Sequence, residues 1–347
     1  MVDAQQLRLT ARQELILASA VEEYIATGLP VGSKTLVRRT ALEVSASTVR
    51  YELAVLEEQG LLTHPHTSAG RIPTESGYRF FVDRLLDRLE PRPASLDLDL
   101  SGVESQVDTA LRATTEALAD LTHLLALVSA PPLETTSVRH VEVLLLQPNV
   151  VMVVVITSTG GVTKRLCTFD EPVDPGLAEW AGQYLNETVA GLQLGARLLR
   201  SRLEDPALTE GERAFLERLR PAFTDVLASE EQTLYVGGAA GVLDEFRADE
   251  LRTYRRLIEV LEHRAAVIGL LRAGLISKRP FVRVGPDLED PDLVGVALVG
   301  APYGLQHRNL GTVSLLGPMR MDYVKAIAAV RSGAYELSRV VEELYVD

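Results

Sequence analysis

Two short stretches near the amino end carry side chains suited to hydrogen-bonding a polar partner. The first is SASTVRYEL, residues 45–53. It sets three short hydroxyls, Ser45, Ser47 and Thr48, just ahead of two long donors, Arg50 and Tyr51, while Val49 and Leu53 recur four apart. The second is HPHTSAGRIPT, residues 64–74, with His64, His66, Thr67 and Ser68 ahead of Gly70 and Arg71. Short hydroxyls in the first turn of a helix, with a guanidinium one turn on, suit the major groove of duplex DNA. A thin polar hairpin tip ending in Gly-Arg suits the phosphate backbone or a minor groove. A serine-capped surface helix beside an ordinary hairpin would use many of the same residues. It is their adjacency that points to DNA.

Such residues need a scaffold. In residues 10–26 the apolar positions Leu15, Ala18, Val21 and Ile25 form a helical stripe, with Thr10 as N-cap. TGLP stops that helix, because Gly28 can adopt positive φ and Pro30 cannot continue it. Ser33 is expected to cap a short helix through Arg39, on which Lys34 is a candidate supporting contact to DNA. After a break, Ser45 caps a third helix to Gln59, with Val49, Leu53 and Leu56 facing inward and Gly60 beyond its end. Leu61–His64 reads as a strand, 65–69 as a tip and Gly70–Ile72 as a return strand. Thr74 then caps a helix to about Leu89. Three helices, a hairpin and a trailing helix make a winged helix-turn-helix.

Charge tempers this reading. The chain of 347 residues has a formal net charge of −13. Residues 1–90 hold 10 Lys/Arg against 12 Asp/Glu, so the acidity lies mostly in the later part of the chain. A nearly neutral head speaks against a protein that coats nucleic acid by charge alone. A single cysteine, Cys167, excludes an internal disulfide framework or a thiolate metal cluster. It lies in a strand pattern and is expected to be buried. His64-Pro-His66 lacks a third metal ligand nearby, so no metal and no cofactor are expected. YVGGAAG (235–241) has neither dinucleotide nor phosphate-loop spacing. No nucleophile–base set stands out, so an enzyme is not expected. The amino end has no apolar leader and the longest apolar run, 150–156, is short, so the expected location is cytoplasmic.

Beyond a Pro-rich linker at 90–102, a long amphipathic helix is expected over 103–129. Strands follow at about 138–146, 150–157 and 162–169, turned by Pro148-Asn149 and Gly160-Gly161, and then a helix at about 174–190. Residues 196–272 read as helix-rich, ending in a helix with Tyr254, Leu257, Ile258 and Leu261 on one face. Those four are candidates for a subunit interface, because an insertion of about 75 residues struggles to bury all its apolar surface. Strands resume at about 281–285, 294–299 and 311–316. The closing helix is apolar at Tyr323, Ile327, Val330, Ala334, Leu337, Val341 and Leu344, a stripe expected to pack on its own domain. Strands on both sides of a helical block suggest one α/β domain interrupted by an insertion.

Three segments, LTARQELILASAVEEYIATGLPVGSKTLVRR, SASTVRYELAVLEEQGLLTHPHTSAGRIPTESGYRFFVD and NLGTVSLLGPMRMDYVKAIAAV, together resemble the HrcA family of heat-inducible repressors. The resemblance runs the full length and is most specific at PHTSAGRIPTESGYR. It implies an α+β multidomain fold: a winged-helix DNA-binding domain (1–90), a linker (91–103), and a GAF-like domain in two parts (104–195 and 273–347). A helix-rich dimerisation domain (196–272) is inserted between those parts. It also implies a homodimeric repressor of chaperone operons on a CIRCE-type inverted repeat, kept active by a chaperonin of the GroEL type. Tyr51 stands where this family usually has Asn, a residue able to pair with adenine. The alternative reading is a metabolite-responsive winged-helix regulator whose GAF-like domain holds a small ligand.

Overall fold

The computed structural model describes residues 9–39, 44–65, 70–90, 93, 107–131, 137–157, 162–194, 197–223, 234–246, 250–262, 271, 277, 279–288, 293–305 and 308–345. The head opens with α1 (Ala11–Thr27). Its start is fixed by a capping box in which the Thr10 hydroxyl accepts from the Gln13 amide and the Gln13 side chain accepts from the Thr10 amide. Gly28 ends it in the left-handed region, at φ 63°. The inward stripe is Ile16, Leu17, Ala20 and Val21, whereas Leu15, expected inside, is 47% exposed. The helix was legible from the spacing, but its buried side is turned toward Ile16, Leu17 and Ala20, because α2, α3 and α4 together choose which side faces in.

Next come α2 (Ser33–Arg39) and α3 (Ala46–Glu58). Ser33 lies inside α2 rather than capping it, and the carbonyl of Gly32 accepts from the Leu36 amide. Strands β1 (Leu62–Thr63) and β2 (Ile72–Pro73) pair antiparallel, Leu62 with Pro73 and Thr63 with Ile72. Thr74 caps α4 (Glu75–Asp87). Residues 66–69, which include His66, Thr67 and Ser68, lie outside the described residues, as does most of the expected linker.

Among the described residues the body holds two sheets with separate cores. Helix α5 (Val107–Thr122) ends at His123, whose φ is 57°, and the chain continues as strand β3 (Leu125–Ser129). The expected helix over 103–129 is therefore corrected at its far end. LALVS is an unbroken apolar run, which periodicity cannot tell from a buried helix. The sheet supplies the reason for the run. Ala126 and Val128 join the core on one face while Leu125 and Leu127 join the core on the other.

Strands β4 (Val138–Gln147), β5 (Val150–Thr157) and β6 (Val162–Thr168) form a three-stranded antiparallel sheet. Helices α6 (Pro175–Val189), α7 (Arg197–Leu203) and α8 (Glu210–Leu219) share its core, where Val141, Val153, Leu185, Phe215 and Leu216 meet and Cys167 is buried. Strand β7 (Leu234–Gly237) then leaves this unit and pairs with β3. The short helix α9 (Val242–Glu245) and the helix α10 (Leu251–Glu262) precede β8 (Phe281–Val284), β9 (Val296–Leu305) and β10 (Arg308–Pro318). The resulting five-stranded sheet has the order β7-β3-β10-β9-β8. Helix α11 (Tyr323–Tyr345) packs with α5 on one face of it, burying Ile327, Val330, Leu337 and Val341.

The packing divides the body differently from the expected boundaries at 195/196 and 272/273. Strands β4–β6 share a core with α6–α8, not with the five-stranded sheet. Helix α10, expected in the insertion, packs on the five-stranded sheet instead. Its Leu257 is fully buried there, and Tyr254 and Leu261 pack against the same core, while Ile258 is half-buried. Tyr254, Leu257 and Leu261 are therefore committed within the protomer. An apolar helical stripe looks the same in sequence whether its cover is the chain's own sheet or a second copy.

Candidate nucleic-acid interface

The recognition surface is built on α3. Ser45 caps it: the Ser45 hydroxyl accepts from the Thr48 amide at 3.2 Å and lies 2.7 Å from the Ser47 hydroxyl and 2.9 Å from that of Thr48. Losing such a cap typically costs about 1 kcal/mol. Val49, Leu53 and Leu56 are buried, at 0%, 2% and 0% exposure. Each contributes roughly 1.5–3 kcal/mol relative to exposure, so the rotation of α3 about its axis is strongly set. The opposite face is then determined by helical geometry: Ser47, Arg50 and Tyr51, related by steps of three and four, lie outward together. All three are exposed, Tyr51 at 68%. Thr48 is half-buried and belongs to the cap rather than to this face. Lys34, on α2, is exposed.

Behind this face, Glu52 is buried against α1. Its carboxylate accepts from the Gln13 amide group at 3.0 Å and pairs with Arg12 at 3.5 Å. The carboxylate nearest the outward triad in sequence is thus turned away from it.

The wing departs from its sequence reading. Arg71, expected as a contact to phosphate or groove, donates from Nε and Nη2 to Oε2 of Glu57, at 3.1 and 2.9 Å. His64 turns its Nδ1 to the other oxygen, Oε1, of the same carboxylate. Burial alone would raise the Glu57 carboxyl, but the hydrogen bonds from His64 and Arg71 outweigh it and hold it below the ordinary glutamate range. Arg71 is also bound through its backbone. It exchanges two hydrogen bonds with Val31, at 2.8 and 2.9 Å, so the segment before α2 adds a third arm to the wing.

Gly70 serves that contact. A Cβ there would stand 2.6 Å from the carbonyl of Val31. Its use is a close backbone approach. Gly77, in the first turn of α4, serves the same purpose: a Cβ would fall 2.1 Å from the Leu61 carbonyl oxygen. In sequence Glu57-Glu58 reads as a solvated face, which the bonds of Glu57 to His64 and Arg71 correct, and Val31 and Gly77 carry no evident role. A glycine inside a helical pattern was the available signal for the last of these.

The head is docked on the body. Arg79 of α4 forms an ion pair with Asp287, which follows β8, and Tyr78 and Phe81 pack their rings against Tyr323 at the start of α11. A helix-turn-helix with a short hairpin is thus set on a mixed helix-and-sheet body. Among the described residues no helix is long and apolar enough to cross a membrane.

The sequence pattern described as the HrcA protein C terminal domain matches residues 108–327. Heat-inducible transcription repressor HrcA of Parafrankia sp. is 36% identical over 339 residues, spanning 94% of this chain and 97% of that protein. The protein of the same name from Mycolicibacterium smegmatis is 36% identical over 341 residues, spanning 94% and 96%. The chain belongs to the HrcA family of heat-inducible transcription repressors. A crystal structure described as that of a hypothetical protein shares the fold, with a TM-score of 0.61 at 22% identity over 97% of this chain and 98% of that one.

Proposed function

We propose that this chain represses chaperone operons by seating the Ser47–Arg50–Tyr51 face of α3 in the major groove of an inverted-repeat, CIRCE-type operator. The wing follows the adjacent backbone. The observation that carries this reading is the orientation of α3: its apolar side is sealed in the head, and the donors lie outward beside the wing root. Bidentate and hydroxyl contacts at base edges supply preference, and Lys34 supplies a phosphate contact. A chaperonin of the GroEL type would hold the repressor in its competent state by favouring that state over partly unfolded ones.

An inverted repeat calls for a two-fold protein. For the homodimer we favour the uncovered face of the three-stranded sheet. Leu144, Met152 and Leu166 are paired across β4, β5 and β6, and Ile156 is paired with Val162. Leu144, Val162 and Leu166 are exposed, the last at 60%. The two apolar rows meet at Val154, which Glu142 and Lys164 flank on the same face, and apolar side chains grouped on an exposed sheet face mark an interaction surface.

A footprint on chaperone promoters of the source genome tests the DNA reading. Protection of an inverted repeat by the full chain, lost with Arg50→Ala while the fold is retained, is the expected result. Equal protection of unrelated DNA by both proteins would refute it.

A further inference from the structure

We propose that Glu57 is a positioning residue: through Arg71 and His64 it locks the wing root to the recognition helix, so that helix and wing meet the operator as one rigid surface. This deepens the DNA-binding reading above and rests on it. The geometry is specific. Glu57 lies in the last turn of α3, away from the groove-facing donors of its first turns. His64 follows β1 and Arg71 precedes β2, so the two partners come from opposite arms of the wing. One oxygen of the carboxylate serves each arm.

The wing needs such a tie. Its strands are two residues each, and a two-stranded ribbon is marginal alone. Backbone bonds to Val31 hold the Arg71 side of the ribbon but not its angle to α3. The Glu57–Arg71 pair is partly shielded, with side-chain exposures of 22% and 25%. That makes it stronger than a fully solvated pair. The arrangement also has a cost for binding. A carboxylate beside the wing reduces attraction to phosphate, and its retention there makes sense only if a defined wing geometry is worth more than the lost charge.

The test measures affinity of the full chain for two duplexes, one carrying the footprinted operator and one of scrambled sequence. Glu57→Ala is expected to weaken operator binding about tenfold while leaving scrambled-duplex binding unchanged or tighter. Glu57→Gln, which can still accept from Arg71, is expected to restore operator binding to within about threefold of the wild type. In an Arg71→Ala background the Glu57→Ala effect should shrink, because the residue acts through Arg71. Equal weakening on both duplexes, tightening on both by both variants, or additive effects in the Arg71→Ala background would each overturn the proposal. Failure of the wild type to distinguish the duplexes would instead remove the DNA reading, and this inference with it.

Discussion

The ring of Tyr78, in the winged helix, lies 6.0 Å from the ring of Tyr323 at the start of α11, with the planes inclined by 48°. Phe81 meets the same Tyr323 ring edge-on at 6.5 Å. Tyr323 is 1% exposed and its hydroxyl donates to the Met319 carbonyl at 2.6 Å. Head and body are therefore joined by a buried aromatic contact as well as by the peptide linker. Tyr323→Ala is expected to destabilise the chain by roughly 3–5 kcal/mol, as large-to-small aromatic changes do. Tyr323→Phe, which loses only the hydroxyl bond, should cost about 1 kcal/mol. Urea unfolding monitored in head and body separately checks both; an Ala variant of wild-type stability would contradict the docking.

Gly77→Ala forces a methyl against the Leu61 carbonyl, a backbone atom with little room to yield. The expected loss is roughly 1–3 kcal/mol, the usual range for overpacking. Gly70→Ala should behave alike against Val31 and loosen the wing root first. Thermal melts combined with limited proteolysis would show a lower midpoint for both variants and earlier cleavage near the wing for Gly70→Ala.

Arg50 and Lys34 should fail differently. Arg50→Ala is expected to lose roughly 1–3 kcal/mol on operator DNA and little on scrambled DNA, as a base contact does. Lys34→Ala should weaken both duplexes alike and reduce the salt slope by about one ion. For the wild type the slope should itself be shallow, since residues 1–90 hold 10 basic against 12 acidic side chains. A slope indicating about ten or more released ions would contradict this.

Leu166→Glu places a charge on the edge strand β6 of the exposed apolar sheet face, next to Met152. Sedimentation velocity is expected to show a dimer for the wild type and a monomer for the variant, with Leu257→Ala changing stability instead, because Leu257 is buried within the protomer. A dimeric Leu166→Glu protein would move the interface elsewhere.

Glu57 carries a pH signature. Its carboxyl is held below the ordinary glutamate value once hydrogen bonds from His64 and Arg71 outweigh burial. A depressed carboxylate stabilises the fold above its unfolded-state pKa, about 4.3, and that contribution disappears as pH falls through the lower folded value. The stability gap between wild type and Glu57→Gln should therefore be constant near neutrality and close on acidification below the usual glutamate range. Urea midpoints across that window measure it; a gap that widens towards acid would reverse the sign.

Much of the head was readable in the linear chain. Thr10, Ser45 and Thr74 each cap the helix that follows, because a hydroxyl satisfies an amide three residues away, and that is a local matter. The outward placement of Arg50 and Tyr51 followed from Val49, Leu53 and Leu56, since one side of a helix dictates the other. What lay beyond reach was contact between distant segments. LALVS became a strand because the sheet has cover on both faces. The stripe at Tyr254, Leu257 and Leu261 turned to the chain's own sheet, and Glu57 captured Arg71 from 14 residues away. Patterning and capping are encoded in near neighbours. Which apolar face meets which, and which carboxylate finds which guanidinium, depend on how the elements close on one another, and only the tertiary structure decided them.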